Sequence, residues 1–108
     1  MRHLTLLGAT GSIGDSTLDV VARHPDRFTV VALAAHSNAD KLRELCRRFR
    51  PRYAALCEPE SARTLQRDLA GDGIRTDVLA GPDGLACVAS LPEVDTVLAA
   101  IVGAAVGA

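Results

Sequence analysis

The glycine-rich segment Gly8–Gly14 is the part of the sequence best suited to hold a ligand. It reads G-x-x-G-x-x-G and stands between a short apolar run and a segment with helical periodicity. Glycines let a backbone approach a phosphate closely, and N–H groups at the start of a helix attract anions. We therefore expect the backbone N–H groups of Gly11, Ser12 and Ile13 to bind a pyrophosphate. The hydroxyls of Thr10 and Ser12 add two further donors.

Two other interpretations of this segment compete with a dinucleotide site. A lysine follows the glycines of a P-loop, and none follows here, which disfavours a P-loop NTPase. A glycine turn without a ligand, in which Gly14 only allows a helix to pack closely on a strand, stays open. The position of the segment between a strand and a helix favours the dinucleotide site.

The residues after the second predicted strand indicate which dinucleotide would bind. An enzyme that uses NAD usually places Asp or Glu there, and this carboxylate accepts a hydrogen bond from the ribose 2′-OH. This sequence has His36, Ser37 and Asn38 instead, with Lys41 and Arg43 one turn further on. No carboxylate repels a 2′-phosphate at this point, so the sequence favours NADP(H). Asn38 is also suited to cap a helix, and His36 as an ordinary exposed loop residue stays open.

Five apolar runs typical of buried strands alternate with four segments whose apolar residues recur at helical spacing. The predicted strands are Leu4–Leu7, Phe28–Ala35, Tyr53–Cys57, Thr76–Ala80 and Val94–Val102. The predicted helices are Ser12–Arg23, a segment from the cap at Asn38 to about Arg50, a segment from Pro59 through Leu69, and Pro82–Leu91. Strict alternation with short loops predicts βαβ crossovers, and hence an α/β fold with a doubly wound, Rossmann-like parallel sheet. We expect one domain over residues 1–108.

The same spacing predicts which side chains are buried. The first helix is expected to bury one face, made of Ile13, Thr17, Val20 and Val21.

The three cysteines have no CxxC spacing, which favours a reduced, cytoplasmic protein over a disulfide scaffold or a zinc site. Each falls on a predicted apolar face, so we expect three buried thiols: Cys46, Cys57 and Cys87.

Composition excludes several classes of function. Twelve basic against thirteen acidic residues give a net charge of −1, which argues against a nucleic-acid-binding module. We find no signal peptide, and no apolar run reaches the roughly 20 residues of a transmembrane helix, so we expect no membrane association. The run Thr96–Ala108 is apolar and uncharged. Because natural termini are usually polar, we expect the chain to be a truncated part of a longer protein.

Four segments, taken in order, match a known pattern: Leu4–Val21, Phe28–Leu33, Arg50–Ala54 and Ala99–Ala105. Together they resemble the N-terminal region of the 1-deoxy-D-xylulose 5-phosphate reductoisomerase family. Gly-Ala-Thr-Gly alone is shared with short-chain reductases and semialdehyde dehydrogenases, but the combination of segments is far more specific. The resemblance spans essentially the whole chain.

The resemblance implies an NADPH-dependent enzyme of the non-mevalonate isoprenoid pathway. Members of the family rearrange and reduce 1-deoxy-D-xylulose 5-phosphate to 2-C-methyl-D-erythritol 4-phosphate with a divalent metal, Mg²⁺ or Mn²⁺. The resemblance places the cofactor-binding residues at Thr10, Gly11, Ser12, Ile13, His36, Ser37 and Asn38. Many relatives carry Gly-Lys where His36 and Ser37 stand. It assigns no catalytic or metal-binding residue within the chain and implies a cytoplasmic homodimer for the full-length enzyme, which acts on a small sugar phosphate.

Two alternatives from other classes remain at this point. A short-chain reductase or epimerase would carry a Tyr-x-x-x-Lys pair, but the chain's single tyrosine, Tyr53, is followed four residues later by Cys57. A non-catalytic module that senses NADP stays open, because nothing else within the chain excludes it.

Overall fold

The computed structural model describes residues 1–100 of the chain. Its strands are β1 (Arg2–Leu7), β2 (Phe28–Ala35), β3 (Tyr53–Leu56), β4 (Asp77–Ala80) and β5 (Thr96–Ala99). Its helices are α1 (Ser12–Arg23), α2 (Ala39–Phe49), α3 (Pro59–Gly71) and α4 (Gly81–Ala89). The predicted alternation is confirmed, and α1 and β2 have the predicted bounds. The predicted end of the fifth strand, Val102, lies outside the described residues.

All five strands are parallel and lie in the order β4-β3-β2-β1-β5. The chain builds outward from β1 to β4 and then crosses back to the other side of β1. The winding direction therefore reverses between β1 and β5, and in such sheets ligands bind outside the carboxyl ends of the strands at this point. Leu7 is paired with Ala34 of β2 and Ala99 of β5, so the three strands end at one level.

The two faces of the sheet are covered differently. On one face, leucines of β1, β2 and β3 pack against leucines of α1, α2 and α3. On the other, Ala32, Ala34 and Ala55 pack against Val88 of α4. The hydroxyl of the fully buried Thr5 donates a hydrogen bond of 2.7 Å to the carbonyl of Val88. This bond satisfies a polar group inside the sheet and fixes the last turn of α4 against β1.

The predicted inward face of α1 is partly wrong. Val21 is buried, but 44% of Ile13 and 50% of Val20 are exposed. The residues that α1 buries are Gly14, Leu18 and Val21. The close contact of Gly14 with the preceding loop sets the rotation of the helix, and this rotation turns Ile13 and Val20 toward solvent.

The prediction of three buried thiols is correct for one cysteine only. Cys46 is buried on α2, and this burial raises the pKa of its thiol to about 12. Cys57 is half-buried at the end of β3, and Cys87 is exposed. On the short helix α4 the inward positions are Gly84 and Val88. Cys87, one residue before Val88, is therefore rotated by about 100° from the buried face.

Candidate functional site

A cleft of about 600 Å³ lies at the carboxyl edge of the sheet, at the point where the winding reverses. Its walls come from the ends of β1, β2 and β3, from the first βα loop and from α4. They are mainly apolar and small, and the lining residues are Leu7, Gly8, Thr10, Gly11, Ala34, Ala35, His36, Cys57, Leu85, Ala86, Ala89 and Ala100. The cleft thus brings the glycine segment and the first residue of the second βα loop into one site.

The first βα loop is a tight turn whose shape depends on glycine. Gly8 has φ +74°, in the left-handed region that side chains rarely adopt. The next N–H, of Ala9, donates to the carbonyl of Ala34 at 2.9 Å, which ties the loop to β2. Gly11 closes the turn with a long hydrogen bond of 3.3 Å from its N–H to the carbonyl of Gly8. The predicted donor at Gly11 is therefore already engaged within the loop.

The N-terminus of α1 presents backbone donors to solvent at the mouth of this cleft. The first helical hydrogen bond runs from the N–H of Asp15 to the carbonyl of Gly11, at 3.0 Å. The N–H groups of Ser12 and Ile13 precede it, and no side chain caps the helix. Both residues are exposed, and the hydroxyls of Thr10 and Ser12 make no hydrogen bond within residues 1–100. Two amides and two hydroxyls thus remain available to an anion.

Gly14 holds α1 against the turn. A Cβ atom at this position would lie 2.6 Å from the carbonyl oxygens of both Gly8 and Ala9. No side chain fits at that distance, since both neighbours are backbone. The proposed close packing by Gly14 is therefore present, together with the amides exposed at the same helix end.

The second βα loop contributes side chains instead of backbone groups. His36, Ser37 and Asn38 are all exposed after the end of β2. Asn38 caps α2, because its Oδ1 accepts a hydrogen bond of 3.1 Å from the N–H of Lys41. His36 lines the main cleft, whereas Ser37 and Asn38 line an adjoining polar cleft. The structure thus brings the predicted loop residues to the same edge as the glycine turn but divides them between two clefts.

The two cations expected beside this loop are engaged elsewhere. Lys41 forms an ion pair of 3.0 Å with Asp15, which links the first turns of α2 and α1. Arg43 donates two hydrogen bonds of 2.9 Å to Asp72 at the end of α3. This bidentate pair raises the pKa of Arg43 and holds the pKa of Asp72 below its usual range. Neither cation is available as an unpaired partner for a 2′-phosphate.

The adjoining polar cleft, of about 340 Å³, lies between the N-termini of α2 and α3. Its lining is Ser37, Asn38, Ala39, Asp40, Glu58, Glu60, Ser61 and Thr64. One lining residue, Glu58, was not predicted from the sequence; it lies two residues after the end of β3. Its N–H donates to the carbonyl of His36 at 3.0 Å, so the third βα loop runs beside the second. The signal that could have identified it is its position, because an acid directly after the neighbouring strand reaches the same edge.

The described residues form no group of three His, Cys, Asp or Glu side chains that could hold a metal ion. No helix among them is both long and apolar enough to span a bilayer. The cleft itself, with exposed amides at a glycine turn and an apolar wall, fits a dinucleotide.

A sequence profile of the 1-deoxy-D-xylulose 5-phosphate reductoisomerase family matches residues 4–107. The enzyme of that name from Nitrosospira multiformis is 64% identical over 97% of this chain, and the one from Methylococcus capsulatus is 58% identical over 97%. The chain covers 27% of the length of each of these curated relatives.

Solved structures agree with the sequence matches. A crystal structure of DOX-P reductoisomerase in complex with NADPH, fosmidomycin and magnesium superposes with a TM-score of 0.89, at 42% identity. It covers 94% of this chain, which spans 24% of that protein. A Zymomonas mobilis 1-deoxy-D-xylulose 5-phosphate reductoisomerase in complex with NADPH superposes with a TM-score of 0.79, at 38% identity over 85% of this chain and 24% of its own. The Rossmann-like fold is therefore confirmed.

Proposed function

The chain belongs to the 1-deoxy-D-xylulose 5-phosphate reductoisomerase family, and on that premise we propose that residues 1–108 form the NADP(H)-binding domain of such an enzyme. The observation that carries this proposal is the set of unpartnered N–H groups and hydroxyls at the glycine turn, which open on a dinucleotide-sized cleft. Membership of the family decides against the short-chain reductase or epimerase alternative.

In this proposal the cofactor pyrophosphate lies at the start of α1. The amides of Ser12 and Ile13 and the hydroxyls of Thr10 and Ser12 donate to its oxygens, and Gly11 leaves space for the close approach. The adenosine end extends toward His36, Ser37 and Asn38. The apolar wall that includes Leu85 and Ala89 covers the remainder of the cofactor and excludes water.

For the whole protein we propose the reaction of the family: the rearrangement and reduction of 1-deoxy-D-xylulose 5-phosphate to 2-C-methyl-D-erythritol 4-phosphate, in the non-mevalonate isoprenoid pathway. Bound NADPH supplies a hydride to this chemistry. The relatives' names and the solved complexes with NADPH and magnesium support the assignment. The remaining expectations, a homodimer in the cytoplasm, are part of the same proposal.

The described residues do not fit the divalent metal of this reaction, because they contain no cluster of three metal-ligating side chains. We therefore assign no step of the metal chemistry to them and propose that the ligands for Mg²⁺ or Mn²⁺ lie in other parts of the full-length protein. It follows that residues 1–108 alone should bind the cofactor without turning over the sugar phosphate.

Titration of the chain with NADPH, followed by nicotinamide fluorescence, tests this function. We expect saturable binding by the parent chain, and no consumption of NADPH when 1-deoxy-D-xylulose 5-phosphate and Mg²⁺ are added. A folded parent chain that does not bind NADPH would refute the cofactor-binding proposal. Turnover by the chain alone would refute the assignment of the metal site to other parts of the protein.

A further inference from the structure

We propose that Glu58 is a specificity-determining residue that weakens the binding of a 2′-phosphorylated adenosine relative to one with a 2′-hydroxyl. This inference rests on the proposed cofactor function, since it concerns the adenosine end of the same ligand. It is carried by the polar cleft between α2 and α3, which Glu58 shares with the predicted 2′-phosphate loop.

Backbone hydrogen bonds place Glu58 beside that loop. The pairing of β2 with β3 continues beyond the end of β3, because the N–H of Cys57 donates to the carbonyl of Ala35, the last residue of β2, at 3.1 Å. The N–H of Glu58 then donates to the carbonyl of His36 at 3.0 Å. The position of Glu58 is thus fixed by the sheet and not by a flexible loop.

A second contact orients the carboxylate. Glu58 stands at the N-cap position of α3, and its Oε1 accepts a short hydrogen bond from the hydroxyl of Ser61. This bond holds the side chain on the cleft side of the helix end, where Ser37 and Asn38 also lie. In the proposed binding mode, the adenosine end extends toward Ser37 and Asn38, and the carboxylate lines the same cleft.

The charges around this cleft are not balanced. Three carboxylates line it, those of Asp40, Glu58 and Glu60, and no lysine or arginine is among the lining residues. Lys41, the nearest cation in the sequence, is paired with Asp15. Among the residues that line this cleft, the helix N-termini and neutral donors are what offsets the repulsion that an entering phosphate would meet.

The chemistry of Glu58 differs for the two kinds of adenosine. A carboxylate accepts a hydrogen bond from a ribose 2′-hydroxyl, but it repels a 2′-phosphate, which carries nearly two negative charges. Glu58 therefore opposes the preference for NADP(H) that the missing acid after β2 favours, and removing its charge should strengthen that preference. Glu58 is the acid among the three whose backbone is hydrogen-bonded to the second loop, and we assign the effect to it.

Two small ligands isolate this effect: adenosine 2′,5′-bisphosphate and 5′-AMP, which differ only in the 2′-phosphate. We expect Glu58→Gln to raise the affinity for the bisphosphate about three- to tenfold, with little change for 5′-AMP or a loss. Glutamine keeps an acceptor for the hydroxyl of Ser61, so the orientation of the side chain is retained. Glu93→Gln removes the same charge, together with a pair to Arg52, at the amino edge of the sheet. It is the control and should leave the ratio of affinities unchanged.

The outcomes separate this proposal from the cofactor function. If the parent chain binds neither ligand, the cofactor site and this inference both fail. If it binds both and Glu58→Gln leaves the ratio of the two affinities unchanged, the inference about Glu58 fails and the cofactor function stands.

A second measurement needs no variant. With increasing salt concentration, the parent's preference for the bisphosphate over 5′-AMP should rise, because salt screens the carboxylate repulsion. A preference that falls with salt, as at a cationic phosphate site, overturns the proposal.

Discussion

The first and second βα turns lie at the same edge of the sheet. The first makes its contacts through backbone atoms, whereas the second presents side chains. The turn Gly8–Gly14 acts through its backbone: Gly8 takes a left-handed conformation, and Gly14 lies against two carbonyl oxygens. The turn His36–Asn38 presents exposed side chains, and the hydrogen bond observed for them is the cap from Lys41 to Asn38.

This difference determines how strongly each turn responds to mutation. A backbone site depends on the absence of side chains, so one added carbon atom meets atoms that have no room to move. A side-chain site in water depends on charge and on exposed donors, whose interactions are screened and worth little individually. We therefore expect large steric effects at the first turn and modest electrostatic effects at the second.

The largest effect is expected for Gly14→Ala. The new Cβ would lie 2.6 Å from the carbonyl oxygens of Gly8 and Ala9, so α1 must move away from β1. We expect a loss of about 2–3 kcal/mol in the free energy of unfolding, measured by urea denaturation. Gly71→Ala is the matched control, because its Cβ would meet nothing within 4 Å and alanine favours the helix. Equal stability of the two variants would contradict the comparison.

The next effect is expected for Gly11→Val, and it should fall on binding more than on folding. Gly11 has φ −86°, which valine adopts, and its Cβ would lie at an ordinary distance of 3.8 Å from the carbonyl of Gly8. The branched side chain would instead occupy the approach of the pyrophosphate. We expect at least a tenfold loss of NADPH affinity, roughly 1.4 kcal/mol. Unchanged affinity in a fluorescence titration would show that this turn is not the site.

A smaller effect is expected for Ser37→Asp at the second turn. The new carboxylate adds to the acids of the polar cleft and repels a 2′-phosphate. Because the position is exposed, we expect NADPH to bind about fivefold more weakly, roughly 1 kcal/mol, and NADH to bind as before or better. Parallel titrations with the two cofactors measure the difference. An equal loss for both, or none for either, would remove His36–Asn38 from the 2′-phosphate pocket.

The smallest effect is expected where an ion pair joins the two turns. Asp15→Asn breaks the exposed pair with Lys41 and should cost less than about 1 kcal/mol of unfolding free energy. The released Lys41 should strengthen NADPH binding by about twofold, since attraction at an exposed site is screened. Asp19→Asn, which breaks the pair with Arg23 one turn further along α1, is the control and should leave binding unchanged. A loss of NADPH affinity in Asp15→Asn would contradict this account.

The sequence predicted the order of elements because each buried strand is a continuous apolar run and each helix has a clear start or stop signal. The bounds of α1 follow from Gly11 before it and Pro25 after it, through local sterics, and those of β2 coincide with a continuous run of mainly apolar residues. The cap by Asn38 was likewise a local property. Such features depend on residues that are close in sequence, so they can be predicted without knowing the tertiary contacts.

The errors arose at residues whose burial or pairing is determined by contacts with residues distant in sequence. Apolar spacing placed Ile13 and Val20 inside, whereas the contact of Gly14 with the preceding turn rotates α1 so that Leu18 is buried instead. Glu58 was missed because its importance depends on the pairing of β3 with β2. The pairing of Lys41 with Asp15 was missed for the same reason, since it joins two different helices. The site's residue types were predictable, but its charge balance was not.

The small side chains around the main cleft have a consequence for how this region evolves. The cleft is bounded by Ala34, Ala35, Ala86, Ala89 and Ala100, so its volume consists largely of space that larger residues would fill. In a saturation library sorted once for abundance and once for cofactor binding, leucine or valine at the more accessible Ala86 and Ala89 should pass the first sort and fail the second. Conservation of these alanines during evolution would then result from the shape of the ligand and not from a requirement of folding.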